Sequence, residues 1–140
     1  MKKLKNNLMD ILKEVLQKDE NILFAYLYGS YVHKLQHLES DIDVAVYLKH
    51  ADMDRYLRKE KELTGNLIAM LQTDKIDLRV INTAPFLLQY QIIKEGMLIF
   101  VRDLSEKVDF ETRVMNRFFE PKPYLEEYKQ MLSSKIESGL

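Results

Sequence analysis

The stretch ILFAYLYGSYVHKLQHLESDIDVAVYL, residues 22–48, contains two different strand patterns on either side of a glycine. The first, Ile22–Tyr28, is a run of apolar and aromatic residues that ends at Gly29, which is typical of a buried strand. In the second, Asp41–Leu48, apolar residues occupy every other position, and this period of two predicts a strand with two different faces. Ser30–Leu38, between them, has weak helical character. The stretch therefore predicts two strands joined by a short connection.

The rest of the chain alternates between strand and helix patterns. A third strand is predicted over residues 76–81 and a fourth over Met97–Val101. Apolar spacings of three and four predict helices over Met1–Leu16, Asp52–Leu71, residues 83–94, Ser105–Phe119 and Tyr124–Ile136. In the helix that Asp52 caps, the predicted inner stripe consists of Met53, Tyr56, Leu57, Leu63, Leu67, Ile68 and Leu71.

This order of elements predicts an α/β (α+β) fold, in which a small mixed sheet of about four strands is covered by helices. At 140 residues, the chain has the length of one compact domain. We therefore expect a single domain over residues 1–140, with a core of about residues 1–102 and a C-terminal helical segment of about residues 103–140.

Composition excludes several classes of function. The 21 basic and 22 acidic residues give a net charge of −1, so no long nucleic acid is expected as a partner. The chain has no cysteine, which excludes disulfides, thiolate zinc sites and thiol nucleophiles. Because no run of about 18 apolar residues is present, we expect no membrane partner and a cytoplasmic location.

Two carboxylates lie two residues apart in the second predicted strand. Asp41 and Asp43 point to the same face, roughly 6.6 Å apart along the strand, while Ile42 points to the other face. Unpaired carboxylates repel each other, and a divalent cation removes that repulsion. Oxygen ligands suit Mg²⁺, and such a pair can hold two ions that clamp a phosphoryl group in transfer. If the third strand lies beside the second, Asp77 completes a triad and accepts a proton from an attacking hydroxyl.

A glycine and a serine precede this pair. Gly29 and Ser30 follow the first strand, where free backbone N–H groups and the Ser30 hydroxyl can cradle a phosphate. Taken singly, each motif has a simpler interpretation, because Asp-x-Asp is often a solvated strand edge and Gly-Ser a plain turn. The complete pattern, with ten residues between Ser30 and Asp41, favours chemistry.

Other side chains near this pattern have two interpretations. Arg79 shares a strand face with Asp77 and is either its ion-pair partner or a phosphate contact. Tyr26, Tyr28 and Tyr31 either pack at the end of the first strand or stack on a nucleotide base.

The pattern resembles the signature of the minimal nucleotidyltransferases (MNT), a group within the superfamily related to DNA polymerase β. Phe24–Leu48 match that signature closely, and Lys75–Asn82 fit the place of its third carboxylate. Phe110–Leu132 resemble the C-terminal segment of MNT antitoxins, which partner a HEPN-domain ribonuclease toxin in two-gene toxin–antitoxin systems. After Gly-Ser the family often has Arg and then Gly, where this chain has His33 and Lys34, and either of these two residues could contact phosphate.

The resemblance implies a polymerase-β-like palm that uses ATP as co-substrate and Mg²⁺ as cofactor, with two ions expected. Asp41, Asp43 and Asp77 would bind the metal, and Asp77 would also activate the acceptor hydroxyl. Gly29 and Ser30 would hold the phosphates. The chain is thereby predicted to act as an antitoxin that transfers AMP to a tyrosine of a HEPN toxin, as a homo-oligomer or in a hetero-oligomer with that toxin.

Two other functions fit the same pattern. One is adenylylation of a small-molecule hydroxyl, and the other is a non-catalytic antitoxin that neutralises the toxin by binding.

Overall fold

The computed structural model describes residues 2–29 and 41–119. Its strands are β1 Ile22–Tyr28, β2 Ile42–Leu48, β3 Ile76–Val80 and β4 Met97–Val101. Its helices are α1 Lys2–Gln17, α2 Met53–Leu71, α3 Phe86–Glu95 and α4 Leu104–Phe119, with a 3-10 turn at Ile81–Thr83. The helices predicted at Ser30–Leu38 and Tyr124–Ile136 lie outside the described residues. Among the helices that the structure describes, none has the length and apolarity needed to cross a membrane.

The four strands form one mixed sheet in the order β3-β2-β1-β4. β1 is antiparallel to both β2 and β4, whereas β2 and β3 are parallel. Parallel neighbours need a crossover connection, and α2 supplies it between β2 and β3. The predicted mixed α/β (α+β) architecture is confirmed.

Each face of the sheet packs against two helices, and we name the faces by their β2 residues. The first face carries Ile42, Val44 and Val46 and forms one apolar cluster with α1 and α2. The second face carries Asp43, Ala45 and Tyr47, and its apolar part packs against α3 and α4. On the second face Phe110 of α4 lies 5.0 Å from Tyr47, measured between ring centroids. α4 therefore covers the Tyr47 end of that face rather than the Asp43 end.

Helix α2 begins where the sequence predicts, because the Asp52 side chain accepts a 2.9 Å hydrogen bond from the Arg55 backbone N–H. The predicted inner stripe, however, is too wide. Its buried residues are Tyr56, Leu63 and Leu67. Met53, Leu57 and Ile68 are 54%, 49% and 36% exposed. A helix that crosses a twisted sheet contacts it along a narrow line, so apolar residues at the margins of the stripe face outward.

Two long-range side-chain hydrogen bonds connect helices to strands of the sheet. Glu60 of α2 accepts a 2.9 Å hydrogen bond from the Val80 backbone N–H at the end of β3. Tyr26 of β1 donates a 2.5 Å hydrogen bond to Glu111 of α4. Because Tyr26 is buried and bonded in this way, it belongs to the core and is not available to stack on a base.

Candidate active site

The structure places Asp43 and Asp77 together at one end of the second face, with Asp41 just before that end of β2. Asp43 and Asp77 are register partners on the parallel strands β2 and β3. Register partners project to the same face of a sheet, so these two side chains stand side by side. Asp41 directly precedes β2 and is exposed. The juxtaposition of Asp77 with Asp43 depends on the parallel pairing, which the sequence analysis left as a condition.

The charges of this group act on one another. The pKa of Asp43 is raised to about 6, mainly by partial burial and also by the neighbouring negative charges of Asp77 and Asp41. Arg79 opposes the shift. The negative charge around Asp43 therefore exceeds the positive charge that Arg79 contributes.

Arg79 forms an ion pair with Asp77, with 3.5 Å between Nε and Oδ2. Both side chains are about half exposed, so solvent screens the pair and weakens it. The ion-pair interpretation of Arg79 is thus present in the structure. Its contact with a phosphate stays a prediction.

Gly29 has a structural role that the sequence analysis did not identify. Its φ of +79° lies in the left-handed region, where a side chain is strained. A Cβ added to Gly29 would lie 2.1 Å from Oδ2 of Asp43, far inside contact distance. Glycine is therefore required here for two reasons, and the Asp43 carboxylate packs against the backbone that is predicted to receive a phosphate.

Tyr28, for which the sequence left both packing and base stacking open, lies beside the carboxylates. It is the register partner of Asp43 on β1, and its side chain therefore lies on the same face. Burial raises the pKa of Tyr28 to about 12, and the charges of Asp43 and Asp77 act in the same direction. The Tyr28 hydroxyl is thus neutral at physiological pH. The feature of the sequence that pointed to Tyr28 was its position directly before Gly29 and two residues after Tyr26.

The donor chemistry of the site fits a hard divalent cation. The side chains that converge there offer carboxylate oxygens, which Mg²⁺ prefers, and a cation would relieve the charge that raises the pKa of Asp43. Within residues 2–29 and 41–119, no three acidic or histidine side chains are already close enough together to enclose an ion.

Three residues predicted near the phosphates are not part of the described structure. Ser30, His33 and Lys34 all lie in the connection between β1 and β2, outside the described residues. Their predicted phosphate contacts stay predictions, as does base stacking by Tyr31, which lies in the same connection.

Several solved structures share this fold. A chain of a toxin–antitoxin structure with AMP-PNP matches with a TM-score of 0.71 and 21% identity, over 92% of this chain and 98% of that one. A complex of tri-AMPylated Shewanella oneidensis HEPN toxin with MNT antitoxin gives a TM-score of 0.62 and 20% identity, over 98% and 99% of the two chains. A MntA–HepT toxin–antitoxin structure gives 0.61 and 19%, with the same shares. At these identities the matches establish the fold.

The two sequence comparisons give different results. A search of the curated proteins found no significant match. The family described as polymerase beta, nucleotidyltransferase, matches residues 10–105, a segment that contains Gly29 and all three carboxylates. This match covers more than half of the chain and includes every strand of the sheet. The chain therefore belongs to the polymerase beta nucleotidyltransferase family.

Proposed function

We propose that this chain is an antitoxin that transfers AMP from ATP to a tyrosine hydroxyl of a HEPN ribonuclease toxin. The observation that carries the proposal is the side-by-side placement of Asp43 and Asp77, with Gly29 packed against Asp43. Membership of the nucleotidyltransferase family supports the reaction class. The similar structures that contain AMP-PNP and an AMPylated HEPN toxin support the nucleotide and the acceptor.

Asp41, Asp43 and Asp77 would hold the metal in this reaction. When bound, Mg²⁺ supplies charge neutralisation for the triphosphate and for the phosphoryl group in transfer. Relief of the repulsion around Asp43 makes this binding favourable, because the pKa of that carboxyl is raised by burial and by its two acidic neighbours. Tyr28 stays protonated beside them and is able to donate a hydrogen bond to an anionic oxygen.

Asp77 would act as the base. The tyrosine oxygen of the acceptor attacks the α-phosphorus of ATP, and the bond from that phosphorus to the bridging oxygen of pyrophosphate breaks. The phenolic proton passes to the Asp77 carboxylate, pyrophosphate leaves, and the AMP group remains on the tyrosine as a phosphodiester. Because the protein forms no covalent intermediate, its contribution is positioning and charge compensation.

Gly29 and Ser30 would hold the departing phosphates. Since the Asp43 carboxylate occupies the space that a Cβ at Gly29 would take, the phosphates would meet the backbone N–H groups there instead of filling that space. Phosphates held there would lie beside Asp43, one of the residues that would hold the metal.

The test is incubation of the full chain with ATP, Mg²⁺ and the cognate HEPN toxin, followed by intact-mass measurement of the toxin. We expect a mass gain of one or more AMP groups, located on tyrosine by peptide mapping, together with loss of ribonuclease activity. If the toxin is neutralised without any mass gain, the chain is a non-catalytic antitoxin and the proposal is wrong. AMP found on a small-molecule hydroxyl and never on the toxin would also contradict it.

A further inference from the structure

A narrow cleft runs along the outer edge of β3, next to the carboxylates. Its volume is about 350 Å³, and Asp77 and Arg79 form one part of its wall. Thr83 and Pro85, before α3, form another part, and Glu60 of α2 a third. β3 is an edge strand of the sheet in the described structure, so the cleft lies at the border of the domain. Asp77 therefore belongs both to the carboxylate group and to this cleft.

The size of the cleft restricts what it can hold. Ligand pockets usually measure about 300–1,000 Å³, and this cleft is near the lower limit. This volume suits one large side chain. Since Gly29 and Asp43 do not line the cleft, the phosphates of the nucleotide have a different place in the site.

The chemistry of the walls favours an aromatic hydroxyl. Arg79 is half exposed and paired with Asp77 at 3.5 Å, a weak contact from which it can turn away at little cost. Its planar guanidinium can then lie on an aromatic ring, while the Asp77 carboxylate accepts a hydrogen bond from the hydroxyl of that ring. Glu60 is held in place by the Val80 N–H at 2.9 Å and keeps that wall fixed.

We propose that the cleft between Asp77, Arg79 and Thr83 receives the acceptor tyrosine of the partner protein, and that Arg79 selects tyrosine over aliphatic hydroxyls by stacking on its ring. This inference rests on the proposed function, whose acceptor it places on the molecule. The hydroxyl then lies at the carboxylate that takes its proton, on the side of the site away from Gly29.

A chemical cross-link tests this placement without requiring activity. The chain contains no cysteine, so Thr83→Cys creates a unique thiol for a benzophenone–maleimide label. We expect irradiation with the toxin to cross-link the peptide that carries its AMPylated tyrosine. Asn66→Cys, exposed on α2 and lining a different cavity, is the matched control and should not label that peptide. Equal labelling from both positions, or labelling of another toxin segment from Thr83→Cys, contradicts the inference.

Two further variants test the role of the cleft in the reaction. Thr83→Trp fills the cleft and should raise the KM for toxin about tenfold or more, with little change in the affinity for ATP. Arg79→Met should reduce the preference for a tyrosine peptide over the same peptide with serine. The control is Arg58→Met, at an exposed position of α2, which should leave that preference unchanged. If Thr83→Trp weakens ATP binding instead, the cleft holds the nucleotide and the inference is wrong.

Failure of the inference is distinct from failure of the proposed function. If the wild-type chain transfers no AMP to the toxin, the proposed function fails at that step. If the wild-type chain is active and the Thr83 and Arg79 variants behave like it, the function stands and the acceptor lies elsewhere.

Discussion

The two faces of the sheet show how one strand serves two purposes. On the first face, Ile42, Val44 and Val46 of β2 are buried against α1 and α2. On the second face, the same strand presents Asp43 at one end and Tyr47 under α4 at the other. The first face is apolar along the whole of β2, whereas the second is apolar at the Tyr47 end and acidic at the Asp43 end. The difference indicates that the first face provides stability and leaves part of the second free for chemistry.

The largest expected effect comes from neutralising one carboxylate on the second face. We expect Asp43→Asn to lower the rate of AMP transfer at least ~100-fold, since it removes a metal ligand, and loss of supporting residues alone costs up to about that much. Initial rates by intact mass would measure the loss, with circular dichroism to verify the fold. Asp74→Asn, exposed and outside the site, is the control and should keep full activity. Normal rates in Asp43→Asn would remove this residue from the proposed mechanism.

Truncation of a buried side chain on the first face should instead lower the free energy of unfolding. Leu67 is fully buried against the sheet, so Leu67→Ala should lower the free energy of unfolding by about 2–5 kcal/mol. Leu57→Ala on the same helix, where the side chain is 49% exposed, should cost much less. Urea denaturation of both variants measures the difference. Equal losses would restore the wide inner stripe that the sequence predicts.

Substitution of Gly29 tests whether both folding and ATP binding need a residue without a side chain at this position. Gly29→Ala places a methyl group against the Asp43 carboxylate and strains the left-handed backbone, which alone costs about 1–2 kcal/mol. We expect reduced thermal stability together with weaker ATP binding, measured by calorimetry. Gly65→Ala in α2, where an added Cβ meets nothing within 4 Å, should be neutral or stabilising. A fully stable Gly29→Ala that binds ATP normally would contradict the close packing.

The smallest expected effect is a gain in stability. Because the pKa of Asp43 is raised to about 6 in the folded chain, its ionisation opposes folding, and this cost grows from about pH 4 to about pH 6 and then levels off. In the metal-free protein, Asp43→Asn should therefore raise the free energy of unfolding by about 1–2 kcal/mol at pH 7, after allowance for solvent screening. Thermal melts at pH 4 and pH 7 measure it. A gain of the same size at both pH values would show that charge is not the cause.

Much of the fold follows from local pattern. The four strands, the Asp52 cap of α2 and the mixed sheet agree with the sequence analysis, because a period of two and a capping side chain act over a few residues. The width of the buried stripe on α2 could not be predicted this way. Leu57 and Leu67 are equally apolar, and their different exposure depends on how α2 crosses the sheet.

The site, like the fold, could be predicted from the sequence only in part. The spacing of Gly29, Asp41 and Asp43 predicts the carboxylates and the glycine of the site, and these roles stay a prediction; the family match to residues 10–105 agrees with the reaction class. Two features could not be predicted from the sequence: the contact of Gly29 with Asp43, and the placement of Tyr28 opposite Asp43. Both join residues on different strands, and their closeness depends on the register of β1 and β2.

The sequence by itself determined which side chains share a face, since a strand turns successive residues to opposite sides whatever its neighbours are. It thereby separated Asp43 from Val44 and marked the break at Gly29. The tertiary structure alone decided that Asp77 stands beside Asp43, that α4 covers the Tyr47 end of β2 and that a cleft follows the edge of β3. Those features depend on the pairing and packing of segments far apart in the chain, which no local pattern contains.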